Sequence, residues 1–256
     1  MSRILTRRRA LLGAGAASLL LSGCDRMVKS PNVAAVIEAA ERLTMGSQRL
    51  LMPSTALARE FSQADISRVF RANGTNNPTD DEYARLREGN FVEWRLQVDG
   101  LVQNPLSLSL DELHRMPART QITRHDCVEG WSAIGKWTGV PLGHILEAAQ
   151  LKPEARYIVF RCADELELTL DGSGRYYESI DLFDAFHPQT ILAYGMNDKT
   201  LDVAHGAPLR LRVERQLGYK HAKYLMRIEA VETLGAIAGG KGGYWEDRGY
   251  EWYAGI

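Results

Sequence analysis

Hydrophobic positions along the chain switch between two periods. From Val33 to Leu43 the run VAAVIEAAERL spaces its apolar residues as one helical face among strong helix formers, and predicts a helical arm. Ser47 to Pro53 reads as the loop that follows. From Glu93 the period falls to two: Glu93–Val98 alternates apolar and polar side chains, a half-buried strand closed by Asp99-Gly100. Ser109 opens a short helix with capping-box spacing to Glu112, and Pro117 closes it. Val140–Ala149 returns to helical spacing. Tyr157–Cys162 (YIVFRC) is a β-rich run that fits the middle of a sheet. Arg71–Pro78 and Asp171–Gly174 are rich in turn residues.

The first apolar run is of another kind. Ala10–Leu21 is short and weakly apolar, with Gly13 and Gly15 inside it, and falls below the roughly 20 apolar residues of a membrane-spanning helix. Thr6-Arg7-Arg8-Arg9-Ala10-Leu11 carries the paired arginines of a twin-arginine signal, a route that exports folded proteins. Leu21-Ser22-Gly23-Cys24 resembles a bacterial lipobox, which makes Cys24 a lipidated first residue of the mature chain. A chance cysteine near a cleavage site is the alternative; four matching positions directly after the apolar run favour the lipobox. Asp25 in the next position retains lipoproteins at the inner membrane in some bacteria. The expected organisation is a signal peptide over 1–23, a lipid-anchored arm over 24–69 and one domain over 70–256.

Composition narrows these expectations without deciding them. The 256 residues suffice for one large domain with a sizeable core. At 45% hydrophobic and 25% charged the chain is ordinary for a soluble globular protein, and a net charge of −1 makes no case for nucleic acid or a strongly acidic partner. Cys24, Cys127 and Cys162 are too few for a disulfide framework. With Cys24 lipidated, the other two are free to pair or to act separately. No Cys-x-x-Cys-His haem motif and no internal repeat occurs.

Thr123–Pro141 holds the densest chemistry. Cys127 sits among Arg124, His125, Asp126 and Glu129, followed by two tryptophans and three glycines. Thiolates suit soft transition metals, and a metal ligand must be deprotonated. Arg124 and a charged His125 would favour the thiolate, whereas Asp126 and Glu129 would oppose it. A buried structural cysteine at a strand end is the commoner fate of a free cysteine. The local residues leave both readings open.

Cys127-Val-Glu-Gly-Trp131 followed by Trp137-Thr-Gly-Val-Pro-Leu142 resembles the core motif of the sulfite-oxidase-type molybdopterin enzymes. Within that superfamily it is similar to the bacterial branch that includes the methionine-sulfoxide reductase catalytic subunit. The likeness runs from about Phe70 to Glu232. It implies an α+β fold, a mixed β-sheet molybdopterin-binding domain in which the cysteine sulfur binds molybdenum beside one pterin dithiolene and oxo ligands. Cys127 is then metal ligand and catalytic residue. Asn73 matches the asparagine that contacts the pterin, with Ala72 where sulfite-oxidising members usually carry arginine. Cys162 falls where the reductase branch has a hydroxyl-bearing residue near the active site, and is carried over as a cofactor contact. Tyr176, in a Tyr-x-x-Ser-Ile pattern, matches a tyrosine near the substrate pocket; a packed strand tyrosine is its competing reading.

His205-Gly-Ala-Pro-Leu-Arg210 and Gly218-Tyr-Lys-His-Ala-Lys223 form the second half of the resemblance. Molybdopterin ends in a phosphate, for which arginine offers a fork and lysine a mobile point charge. His205, Arg210, Lys220 and Lys223 are accordingly carried over as cofactor contacts. Arg212 and Arg215 read as a solvated charged face, and His114, His144 and His187 as structural. Gly239–Gly243 reads as a flexible loop, and the aromatics from Tyr244 to Tyr253 as packing back on the domain.

The resemblance implies one molybdenum–molybdopterin per chain, no haem, and oxygen-atom transfer, as reduction of a small-molecule or protein-bound sulfoxide or related S- or N-oxide. Electrons then come from a partner, a membrane b-type cytochrome, beside which the lipid anchor holds an exported periplasmic domain. Two alternatives compete. A sulfite-oxidising enzyme wants arginines for a dianion shortly after the cysteine; Val128–Ser132 supplies none and adds Glu129. A non-catalytic lipoprotein binding module is opposed by Cys127 within its motif.

Overall fold

The computed structural model of the protein describes residues 31–169 and 174–256. The twin-arginine segment, the lipobox with Cys24, and the Asp171–Ser173 part of the expected turn lie outside these residues. The chain divides into two units, Met1–Leu51 and Met52–Ile256.

Of the first unit, one helix is described, α1 (Pro31–Leu51). It runs through Ser47, where a loop was expected. The Thr44 and Ser47 hydroxyls donate to Ala40 O and Thr44 O, both at 2.9 Å, so these residues are satisfied inside the helix. Pro53, which disfavours helical backbone at the residue before it, marks the real stop. Among the described residues no helix is long and apolar enough to cross a membrane.

Among its described residues the second unit holds ten strands: β1 (Arg95–Gly100), β2 (Leu106–Ser109), β3 (Arg119–Asp126), β4 (Ser132–Pro141), β5 (Tyr157–Glu165), β6 (Arg175–Asp181), β7 (Ile191–Met196), β8 (Lys199–Thr200), β9 (Arg210–Arg212) and β10 (Leu225–Val231). α2 (Asp81–Glu88) precedes β1, and α3 (Leu110–Arg115), α4 (Leu142–Ala149) and α5 (Leu182–Ala185) lie between strands. One sheet has the order β2-β1-β10-β5-β6, with β1 and β10 parallel and its other neighbours antiparallel. The other runs β3-β4-β7-β8, and β9 also pairs with β7. The α+β class with mixed sheets is as expected.

Local causes explain the elements. β1 turns Leu96 and Val98 inward and its alternate residues to solvent. Gly100 ends it at φ +81, where a Cβ would stand 2.3 Å from Ala230 O. The expected capping box opens α3: Ser109 Oγ accepts from Glu112 N at 3.2 Å, and Glu112 accepts from Ser109 N at 2.8 Å. α4 buries Leu142, Ile145, Leu146 and Ala149. β5 is an inner strand with Ile158, Val159 and Phe160 fully covered, and one core cluster joins it to α4, β1 and β9.

One boundary and one loop differ from expectation. Met52–Val69 belongs to the second unit, not to the arm: Phe61 N donates to Ile122 O at 2.9 Å and Ser67 N to Ile134 O at 3.0 Å, adding to the β3–β4 sheet. The glycine-rich stretch after Ile237 is pinned, because Asp247 accepts from Gly239 N at 2.9 Å and Lys241 N at 3.0 Å. The aromatic tail does pack back, with Tyr244 N on Tyr177 O at 3.0 Å and Trp252 Nε1 on Ser179 Oγ at 2.9 Å.

Candidate functional site

The inner face of β3 is polar. Gln121, Thr123 and His125 are buried at period two, and Cys127 continues the alternation just past the strand end. A turn then reverses the chain into β4: Gly130 N donates to Cys127 O at 3.0 Å and Cys127 N to Trp131 O at 2.9 Å, with Gly130 at φ +85. The Cys127 thiol faces a cavity of about 250 Å³. Asn73, from the loop Phe70–Thr75, donates its Nδ2 to the sulfur at 3.4 Å.

That loop is held from several sides. The Phe70 ring stands edge-on to Trp137 at 5.3 Å and to His205 at 5.8 Å. His205 bridges Phe70 O (Nε2, 3.1 Å) and Asp202 (Nδ1, 2.7 Å). Lys223 donates to three carbonyls, Asn73 O at 2.8 Å, Ala204 O at 3.1 Å and Thr75 O, which matches the three N–H donors of an ammonium. Its hydrogen bonds therefore position the Asn73 loop, and its charge is what it contributes to the cavity.

Behind the loop, Arg210 and Arg212 each lay a guanidinium on the Trp137 ring, at 4.9 and 4.4 Å from its centre. Arg210 donates to His205 O at 2.9 Å and His221 O at 3.4 Å. Arg212 pairs with Glu214 at 2.6 Å and donates to His125 Nδ1 at 3.0 Å. A guanidinium only donates, so the His125 proton is assigned to Nε2. Burial first, then Arg212 and Arg210, pushes His125 well below its ordinary value and leaves it neutral. His221 gives Nε2 to Gln216 O at 3.1 Å; burial, then Arg212, holds it neutral too.

The cations are crowded. Burial and then Arg212 bring Arg210 down to about 9, and burial and then Arg210 bring Lys223 to about 7. Burial lifts the Asp164 carboxyl to about 6. The Cys127 thiol is pushed up, by burial first and also by the Glu129 charge, against the Asn73 hydrogen bond and Arg71. Three polar atoms of buried wall residues have no partner: Arg210 Nε, His221 Nδ1 and Asp164 Oδ1. A ligand with negative charge would relieve the crowding of Arg210 and Lys223, and one with both donors and acceptors would satisfy the three orphaned atoms.

Six of the expected site residues, Asn73, Cys127, Tyr176, His205, Arg210 and Lys223, share this one cavity wall. Two do not. Lys220 is buried away from it, its Nζ between Glu178 at 2.5 Å and Glu246 at 2.7 Å, so its charge is spent on an internal ion pair. Cys162 packs in the core; the β5–β6 pairing is irregular between Arg161 and Glu165, and Asp164 reaches the cavity instead. Cys127 and Cys162 are both free thiols. Arg212 and Arg215 are not a solvated face: both are buried, Arg215 with Asp184 at 3.2 Å. The sequence reading missed His125 and His221 as wall residues. His125 had a signal, its equal parity with Cys127 along β3. His221 had none beyond its place in the Gly218–Lys223 frame.

The family model described as the oxidoreductase molybdopterin binding domain matches residues 84–234. The chain belongs to this family. It is thus a molybdopterin-family oxidoreductase, which sets aside the non-catalytic alternative, and membership implies a molybdenum–pterin cofactor. The cation-rich wall and its orphaned polar atoms fit such a group on their own evidence. Among relatives, a protein of Azospira oryzae, provisionally named protein-methionine-sulfoxide reductase subunit YedZ1, is 38% identical over 236 residues, 92% of this chain and 82% of its own. The protein-methionine-sulfoxide reductase catalytic subunit MsrP of Campylobacter jejuni is 34% identical over 149 residues, 55% of this chain and 50% of its own. That of Xanthomonas campestris is 39% identical over 147 residues, 55% and 46%. This molybdopterin-binding chain thus spans about half the length of the two MsrP proteins. The sulfane dehydrogenase SoxCD of Paracoccus pantotrophus superposes with a TM-score of 0.49 at 24% identity, over 56% of this chain and 39% of that one.

Proposed function

We propose that the protein reduces a sulfoxide, or a related S- or N-oxide, by oxygen-atom transfer at a molybdenum–pterin group bound through Cys127. The carrying observation is the Cys127 sulfur on the wall of a cation-rich cavity, with the Asn73 amide against it. The names of the relatives support an S-oxide as the substrate class. When bound, the group supplies the two-electron redox change that this transfer requires. Cys127 would be its ligand from the chain, and Asn73, His205 and Arg210 would hold the pterin and its phosphate. Lys223 keeps the Asn73 loop in place and adds positive charge. His125 presents a neutral ring whose orientation Arg212 holds. Tyr176 donates its hydroxyl to Tyr219 O and lines the cavity. Glu129 is an exposed carboxylate on the cavity wall and would oppose a sulfite dianion, whereas Arg71, over the Trp131 ring at 5.5 Å, would attract one. The preference for an S-oxide over sulfite therefore rests on the relatives' names.

The word subunit in the relatives' names supports an electron-donating partner, read here as a membrane b-type cytochrome. Export by the twin-arginine route and lipidation of Cys24 would hold the domain beside it, since several acyl chains anchor stably where one binds marginally. The test is protein purified from a twin-arginine-competent host. It should carry close to one molybdenum and one pterin per chain and reduce methionine sulfoxide with a reduced viologen dye as donor. Cys127→Ser should lose its turnover, because a neutral hydroxyl replaces a soft anionic ligand. Well-folded, active protein without molybdenum, or Cys127→Ser with wild-type turnover, would refute the reading.

A further inference from the structure

We infer that Trp245, Tyr250 and Tyr219 form a substrate subsite that holds the alkyl arm of a methionine sulfoxide residue while its S–O group enters toward Cys127. The inference rests on the S-oxide reading above and deepens it. All three rings line the Cys127 cavity, and Trp245 and Tyr250 lie beyond the residues that the family model matches. They form one aromatic surface: Tyr250 stacks on Trp245 at 5.3 Å and meets Tyr219 edge-on at 5.2 Å. Tyr250 is 39% exposed and the other two are half-buried, so part of this surface is open to an incoming molecule.

The surface is tied to the surrounding chain by hydrogen bonds. Tyr250 N donates to Trp245 O at 3.0 Å, and the Tyr219 hydroxyl to Glu251 O at 2.7 Å. Glu246, next to Trp245, is tied to Lys220 at 2.7 Å in full burial. Rings fixed in this way lose little freedom on binding a ligand. The cavity wall thus combines the thiol, the amide of Asn73 and the cations with this aromatic surface. A methionine sulfoxide likewise combines a strongly accepting oxygen with an uncharged alkyl arm. Removing the oxygen leaves a thioether, whose sulfur makes favourable contacts with aromatic rings. Dimethyl sulfoxide has the same S–O group and no arm.

The test uses molybdenum-loaded wild type, Trp245→Ala, Tyr250→Ala and Trp245→Phe, with a reduced viologen as donor. The substrates are N-acetylmethionine sulfoxide amide and dimethyl sulfoxide. Each alanine variant should shift the ratio of kcat/KM for the two substrates by about tenfold toward dimethyl sulfoxide, through KM for the larger one, as losing ring contacts implies. Trp245→Phe should keep most of the wild-type ratio. A purely structural role for the rings would lower both substrates in proportion; an unmoved ratio would overturn the subsite alone. Wild-type enzyme that reduced no S-oxide would overturn the functional reading and the subsite with it.

Discussion

Lys220→Met removes the ammonium shared by two buried carboxylates. The side chains of Lys220, Glu178 and Glu246 are 1%, 0% and 1% exposed, and Nζ donates to them at 2.5 and 2.7 Å. The second oxygen of each carboxylate has no partner. Burial alone would lower Lys220, but Glu178 and Glu246 outweigh it and the net shift is upward. Removing one member of such a group costs about 3–5 kcal/mol, because charge is left buried and uncompensated. At roughly 2–4 °C per kcal/mol for a domain of this size, Tm should fall on the order of 10 °C. The pH dependence has a definite sign. Burial, then Glu246, raises the Glu178 carboxyl well above the ordinary 4.5, and Lys220 opposes the rise. The folded state then holds a proton that the unfolded chain releases. Its stabilisation is complete below the unfolded value and is lost as pH rises through the folded one. Without Lys220 the folded value climbs further and the loss deepens, so the Tm deficit should be larger near about pH 8 than near about pH 5. Thermal unfolding by near-ultraviolet circular dichroism, at matched molybdenum content, reads both. A Tm within about 2 °C of wild type at both pH values, or a larger deficit in acid, would refute the reasoning.

Gly218→Ala would place a Cβ 2.5 Å from His125 Nε2, and should displace the ring from Arg212 at an overpacking cost of about 1–3 kcal/mol. Lower Tm and lower molybdenum retention are expected; wild-type values of both would count against the close packing. Cys162→Ser should lose about 1–3 kcal/mol through a buried hydroxyl, yet keep turnover, in contrast to Cys127→Ser. Selective loss of turnover in Cys162→Ser would return that residue to the site. Cys24→Ser should move the protein from the membrane to the soluble periplasmic fraction, and retention after a salt wash would rule out lipid as the tether.

The sequence by itself determined what has a local cause. The capping box at Ser109, the alternation in β1, the apolar run of β5 and the helical face of α4 each follow from neighbouring residues, and all four formed, although β1 runs two residues later than the pattern predicts and α4 starts two residues later. The Cys127 motif and the two later frames pointed to the chemistry, because residue type and spacing there match a family. Tertiary structure decided everything that depends on which polar side chains share the interior. Arg212, Lys220 and Arg215 look alike as charges along a chain. Only the fold shows that Glu214, the Glu178–Glu246 pair and Asp184 stand opposite them, at the cost of no exposed charge. Asp164 rather than Cys162 lines the cavity, in the stretch where the β5–β6 pairing is irregular. Lys223 became a positioning residue because three carbonyls from two separate stretches converge on one ammonium. Burial makes such pairing compulsory, since an unmatched charge inside costs more than the fold can spare, and the partners come from residues far apart in the chain.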